Sequence, residues 1–131
     1  MVDILKKELA MSFEDAVKKV EKVSQENGFA VLATKSLDKI FKEKLGVKDY
    51  SQYAIILVCN PKFAKGALDV SFKVGLLFPC SFVVYEENNK IFVAHTSIMK
   101  IAPEIGFAPK DEMQPIIEAT GKAIKVIWDL L

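Results

Sequence analysis

Residues 75–96 read GLLFPCSFVVYEENNKIFVAHT, two apolar segments separated by a pair of asparagines. Gly75 to Glu86 is expected as one long strand. Leu76, Phe78, Cys80, Phe82 and Val84 fall on one face, and Leu77, Pro79, Ser81, Val83 and Tyr85 on the other. Both faces are apolar, so at least part of the strand is expected to be covered on both sides. Asn88-Asn89 tolerates the left-handed backbone of a tight hairpin turn. Lys90 to Thr96 then returns as the partner strand, with Ile91, Val93 and His95 on one face. Pro79 points to an edge position or a bulge beside Cys80, because proline cannot donate to a ladder.

The neighbouring segments build outward from this hairpin. Tyr53 to Cys59 (YAIILVC) is a strand rich in branched residues, and Phe29 to Thr34 (FAVLAT) is another. Asn60-Pro61 reads as a helix start, with Asn as the cap and Pro in the first turn, running to about Leu68. Ser36 opens a short helix carrying Leu37, Ile40, Phe41 and Leu45, which Gly46 stops. Ser12 with Asp15 three residues on resembles a capping box. Phe13, Ala16, Val17, Val20 and Val23 follow at helical spacing until Asn27-Gly28. Ile4 to Met11 is expected as a strand. Residues 97–110, with Pro103, Gly106 and Pro109, read as an irregular apolar loop. Residues 111–131 place Met113, Ile116, Ile117, Thr120, Ile124, Ile127 and Leu131 on one helical stripe. The expected order is β-α-β-α-β-α-β-β-α. This is an α+β fold with an antiparallel-rich sheet of about five strands and helices packed on one face.

Composition narrows the function. The chain has 131 residues, which at about 150 residues per domain is one domain. All 18 basic residues are Lys, and they nearly cancel the 17 acidic ones. Without Arg, the preferred fork for phosphate and guanine edges, nucleic acid is not expected as a partner. Asp3, Lys6, Lys7 and Glu8 interrupt any leader-like apolar run, and the longest apolar stretch falls short of the roughly 20 residues that span a bilayer. The expectation is a cytoplasmic protein with no membrane partner, whose two cysteines are free thiols. One His and no close cysteine pair leave no zinc pattern. There is no dinucleotide fingerprint, phosphate-cradling loop or Ser-His-Asp order.

Four motifs stand in order between Gly28 and Tyr85: GFAVLAT, KEKLGV, ILVCNPKFAKGAL and GLLFPCSFVVYE. Together they resemble the domain-of-unknown-function family 302, from Ser12 through the hairpin to Thr96. The resemblance implies a small α+β domain similar to TATA-binding-protein-like folds and often homodimeric. It implies no activity. After Thr96 the chain departs from the family's pattern, reading SIMKIAPEIGFAP instead of an Asp-Pro-like ending.

Five residues are candidates for a ligand site: Cys59, Asn60, Cys80, His95 and Tyr85. Capping alone accounts for Asn60, but a helix start directly after a strand also offers free N–H groups to an anion. Cys59 precedes that start, where a thiol can become more acidic. Cys80 is either core or stands across from Cys59. His95 reads as a core or boundary residue, or as an axial ligand needing a partner such as Cys59, Cys80, Met99 or a second subunit. Tyr85 reads as core or pocket wall. The leading expectation is a homodimer binding a small apolar or anionic molecule near the Cys-Asn-Pro step. The alternative is a thiol-based redox or sulfur-handling protein using Cys59 and Cys80, which requires Cα atoms about 4.4–6.8 Å apart. No cofactor is predicted, and haem is the remaining alternative. The dimer follows from a strand apolar on both faces, which two helices cannot cover.

Overall fold

A computed structural model describes residues 3–131. Five strands form one antiparallel sheet: β1 (Ile4–Leu9), β2 (Ala30–Ser36), β3 (Tyr53–Cys59), β4 (Cys80–Glu87) and β5 (Lys90–Thr96), in spatial order β1-β5-β4-β3-β2. The helices are α1 (Phe13–Glu26), α2 (Leu37–Leu45), α3 (Pro61–Val70), α4 (Ile98–Glu104) and α5 (Lys110–Leu130). The α+β sandwich expected from the pattern is the fold observed.

The turn chemistry explains the framework. Asn88 and Asn89 take φ of +54° and +62°, which closes the β4–β5 hairpin. Ser12 accepts from the Asp15 amide at the start of α1. Asn60 accepts from the Lys62 amide at the start of α3, with Pro61 in the first turn. Gly28, at φ +86°, ends α1 in the left-handed region, and the Phe29 amide reaches back to the Ser24 carbonyl.

One face of the sheet carries the main core. Ala54, Ile56 and Val58 of β3, Phe82 and Val84 of β4, and Val93 of β5 are fully buried there. They pack with Val20 of α1 and with Ile124 and Ile127 of α5. Two lysines tie α5 down: Lys7 donates to the Trp128 carbonyl and Lys19 to the Leu131 carbonyl. Both supply positive charge where the helix dipole is negative. A smaller core of Ala67, Val74, Met99, Ala102 and Met113 joins α3, α4 and α5.

Three sequence expectations are corrected. Gly75 to Glu86 is not one strand: Phe72–Leu77 is a 3-10 helix, the Phe78-Pro79 peptide is cis, and β4 starts at Cys80. Before Pro79, Leu77 and Phe78 pack on the second core, where Val74 is buried, and Leu76 is exposed; none of them pairs in the ladder. Pro79 marks neither an edge nor a bulge. It stands just outside the ladder, and β4 is flanked by β3 and β5. Residues 97–110 are not wholly irregular, because Ser97 accepts from the Lys100 amide and starts α4. Pro103 falls in the last turn of α4, and Gly106, at φ +81°, ends it.

The other face of the sheet lacks a packed helix layer like that of α1 and α5. Tyr53, Ile55, Leu57, Val83, Tyr85 and Phe92 are only half-buried. Tyr53 stacks on Tyr85 at 5.6 Å, and the Lys6 ammonium sits 4.5 Å from the Phe92 ring centroid. Tyr50, held by Phe41 of α2, borders a shallow depression over Tyr53, Val83 and Tyr85.

Candidate functional site

The end of β3 and the start of α3 shape a cleft of about 250 Å3. Cys59 ends the strand, Asn60 caps the helix, and Cys80 opens the neighbouring strand. All three line the cleft, together with Phe29, Phe63 and Met99. The ladder sets Cys80 opposite Val58, one residue before Cys59. Both thiols are free and half-buried. Burial and the neighbouring Cys59 raise the Cys80 pKa from about 9 to about 11, so Cys80 stays a thiol at neutral pH.

The Asn60 amide is oriented by its cap. Its Oδ1 lies 3.1 Å from the Lys62 nitrogen, a group that can only donate, so Oδ1 accepts. Its Nδ2 forms no hydrogen bond among the described residues and sits beside Gly28, where an added Cβ would lie 3.4 Å away. The walls carry no charged side chain. Such a cleft suits an uncharged, mainly apolar molecule with one hydrogen-bond acceptor for Nδ2.

His95 and Tyr85 do not join this group. His95 lines a different cavity, beside α5, so it is not brought together with either cysteine as an axial pair would require. Its Nδ1 is 2.8 Å from the Ser81 carbonyl, and its ring lies 4.7 Å from that of Phe82. Burial lowers its pKa below the usual 6.5 and favours the neutral imidazole. Tyr85 belongs to the uncovered sheet face. Among the described residues no three His, Cys, Asp or Glu side chains come together as a metal site.

The sequence reading missed Phe63, Met99 and Thr120 as cleft walls. Phe63 and Met99 sit on helices whose facing partner no local pattern specifies. Thr120 did leave a signal, being a hydroxyl inside the apolar stripe of α5.

The model of the family described as a domain of unknown function, DUF302, matches residues 5–131. The chain belongs to the DUF302 family. The match runs beyond the resemblance that ends at Thr96, through α4 and α5. Among solved structures, the crystal structure of an uncharacterized conserved protein, DUF302, from Bacillus stearothermophilus is similar. Its TM-score is 0.85 at 22% identity, covering 97% of this chain and 96% of that one. At that identity the likeness establishes the shared fold. No curated protein matches. Among the described residues no helix is long and apolar enough to cross a membrane.

Proposed function

We propose that this DUF302 domain binds a small, uncharged, mainly apolar molecule in the cleft beside Cys59-Asn60. The cleft itself carries the reading: apolar walls plus the undirected Asn60 Nδ2, the pattern of small-molecule sites. The lack of a lining cation argues against an anion, and the Asn60 cap already uses one of the α3 amides. Two free thiols in one cleft fit a reducing compartment such as the cytoplasm. The test is titration with N-phenyl-1-naphthylamine, an apolar fluorescent probe, alongside native mass spectrometry of the purified protein. Ala64 lines the cleft from α3, so Ala64→Trp should fill it and reduce probe affinity at least about tenfold with the melting temperature nearly unchanged. Equal binding by wild type and Ala64→Trp, or no binding by wild type, would sink the proposal.

A second copy of the chain is the proposed occupant of the uncovered sheet face. Ile55, Leu57, Val83, Tyr85 and Phe92 form a continuous apolar surface. Its β1 rim carries both charge signs, with Lys6 beside Glu87 and Lys90 beside Glu8. A rim of mixed sign can complement itself across a two-fold axis. Light scattering should report twice the 14.6 kDa chain mass at micromolar concentration, and Val83→Lys should halve it while keeping the far-UV spectrum. A monomeric wild type overturns the assignment.

A further inference from the structure

A second cavity, of about 320 Å3, lies between the β1–β5 edge and α5. Leu5, Ile124 and Trp128 supply apolar walls. Two buried polar side chains stand among them: His95, 6% exposed, and Thr120, 4% exposed. The Ser81 carbonyl can only accept, so the His95 proton sits on Nδ1 and Nε2 is left as an acceptor. Nε2 forms no hydrogen bond among the described residues. Thr120 Oγ1 is also buried and without a partner. A buried hydroxyl left unpaired costs desolvation free energy with no return inside the free protein.

We infer that this cavity is a binding site for a small apolar molecule bearing a hydroxyl group, with a phenol as the simplest form. Neutral His95 offers only an acceptor, so the ligand must donate there. Thr120 can donate or accept. A hydroxyl both donates and accepts, which suits the pair; a carboxylate cannot donate, and an ammonium cannot accept. The charges at the cavity do not select an ion. Lys125 is paired with Asp129 at 2.7 Å, and Asp3 opposes Lys100 in sign. Trp128, Leu5 and Ile124 fit a ring or short aliphatic body. The site is separate from the Cys59-Asn60 cleft, meeting it only at Thr120, which lines both.

The experiment is a titration of the 15N-labelled chain with phenol, toluene and benzoate, following amide shifts. Phenol should move the signals of Leu5, His95, Gly121 and Trp128 and bind about tenfold tighter than toluene or benzoate. Thr120→Val keeps the shape and removes the hydroxyl. It should weaken phenol by about three- to tenfold, leave toluene unchanged, and leave the melting temperature equal or higher, because the lost hydroxyl has no partner in the free protein. His95→Leu should weaken phenol similarly; if it does not fold, Thr120→Val decides alone. Ala64→Trp fills the other cleft and should not change phenol affinity, which keeps the two sites distinguishable. The inference fails if phenol does not bind at millimolar concentration or binds no tighter than toluene. It also fails if phenol moves only Phe29, Cys59 and Phe63. A Thr120→Val that binds phenol like wild type, or that melts well below it, overturns it as well.

Discussion

Cys80 should react with iodoacetamide at least about tenfold more slowly than a free thiol at pH 8, and more slowly than Cys59. The thiolate is the nucleophile, and a pKa of about 11 in place of about 9 cuts its population about a hundredfold. A more basic thiolate is intrinsically more reactive, which returns roughly a factor of ten. The population effect wins, and the half-buried position of Cys80 against the core adds to it. Desolvation is the larger cause of the raised pKa and the charge of a Cys59 thiolate the smaller, so Cys59→Ser should speed Cys80 only slightly. Peptide mapping after timed alkylation measures both rates. Equal rates in the native protein would show that burial does not hold Cys80 protonated, and would revive the redox alternative. In the expected outcome Cys80 is a poor resolving thiol, and the pair serves as wall rather than reagent.

How much was legible depended on whether the controlling interaction was local. The β4–β5 turn was readable because two adjacent asparagines meet a backbone need that few residues satisfy. The same holds for the Ser12 and Asn60 caps, where the acceptor lies two or three residues from its donor. Gly75 to Pro79 misled for the opposite reason. Its apolar alternation matches a strand, yet Leu77 and Phe78 pack with Met99 and Met113, which lie far along the chain, while Leu76 is exposed. Residues 98–104 mislead because Pro103 and Gly106 suit a loop equally well; Pro103 stands in the last turn of α4, where it forfeits one amide hydrogen bond, and Gly106 lies two residues beyond the helix in the left-handed region. Cys59 and Asn60 of the Cys-Asn-Pro step line one wall of a cleft. Its opposite walls, Phe63, Met99 and Thr120, come from three helices, and no spacing along the chain reports which helices meet. His95, the only histidine, groups with the cysteines by ligand chemistry alone. Strand alternation puts its side chain on the core face, with Phe82, but α5 is what divides that face into two cavities.

Phe82→Ala should destabilise the fold by about 3–5 kcal/mol, a drop in melting temperature of about 10–20 °C for a chain of this size. Phe82 is fully buried at the centre of the sheet, and its ring packs against that of His95. No neighbour is positioned to collapse into the gap, because β3 and β5 hold both sides of β4 in register. The loss should also depend on pH through His95. The unfolded chain takes up a proton near pH 6.5, whereas burial holds the folded imidazole to a lower pKa. Between that lowered pKa and 6.5 the unfolded state binds more protons, so His95 makes wild-type stability fall as pH falls, and above 6.5 it contributes no slope. Removing the Phe82 ring lets water reach the imidazole, returns its pKa toward 6.5, and narrows the window. The cost of Phe82→Ala should therefore be smaller at pH 5 than at pH 7.5, by at most about 1.4 kcal/mol for each pH unit of the window lost. Urea denaturation of both proteins at the two pH values measures it. A cost below about 1 kcal/mol would show that the core re-packs, and a cost independent of pH would show that Phe82 does not shield His95.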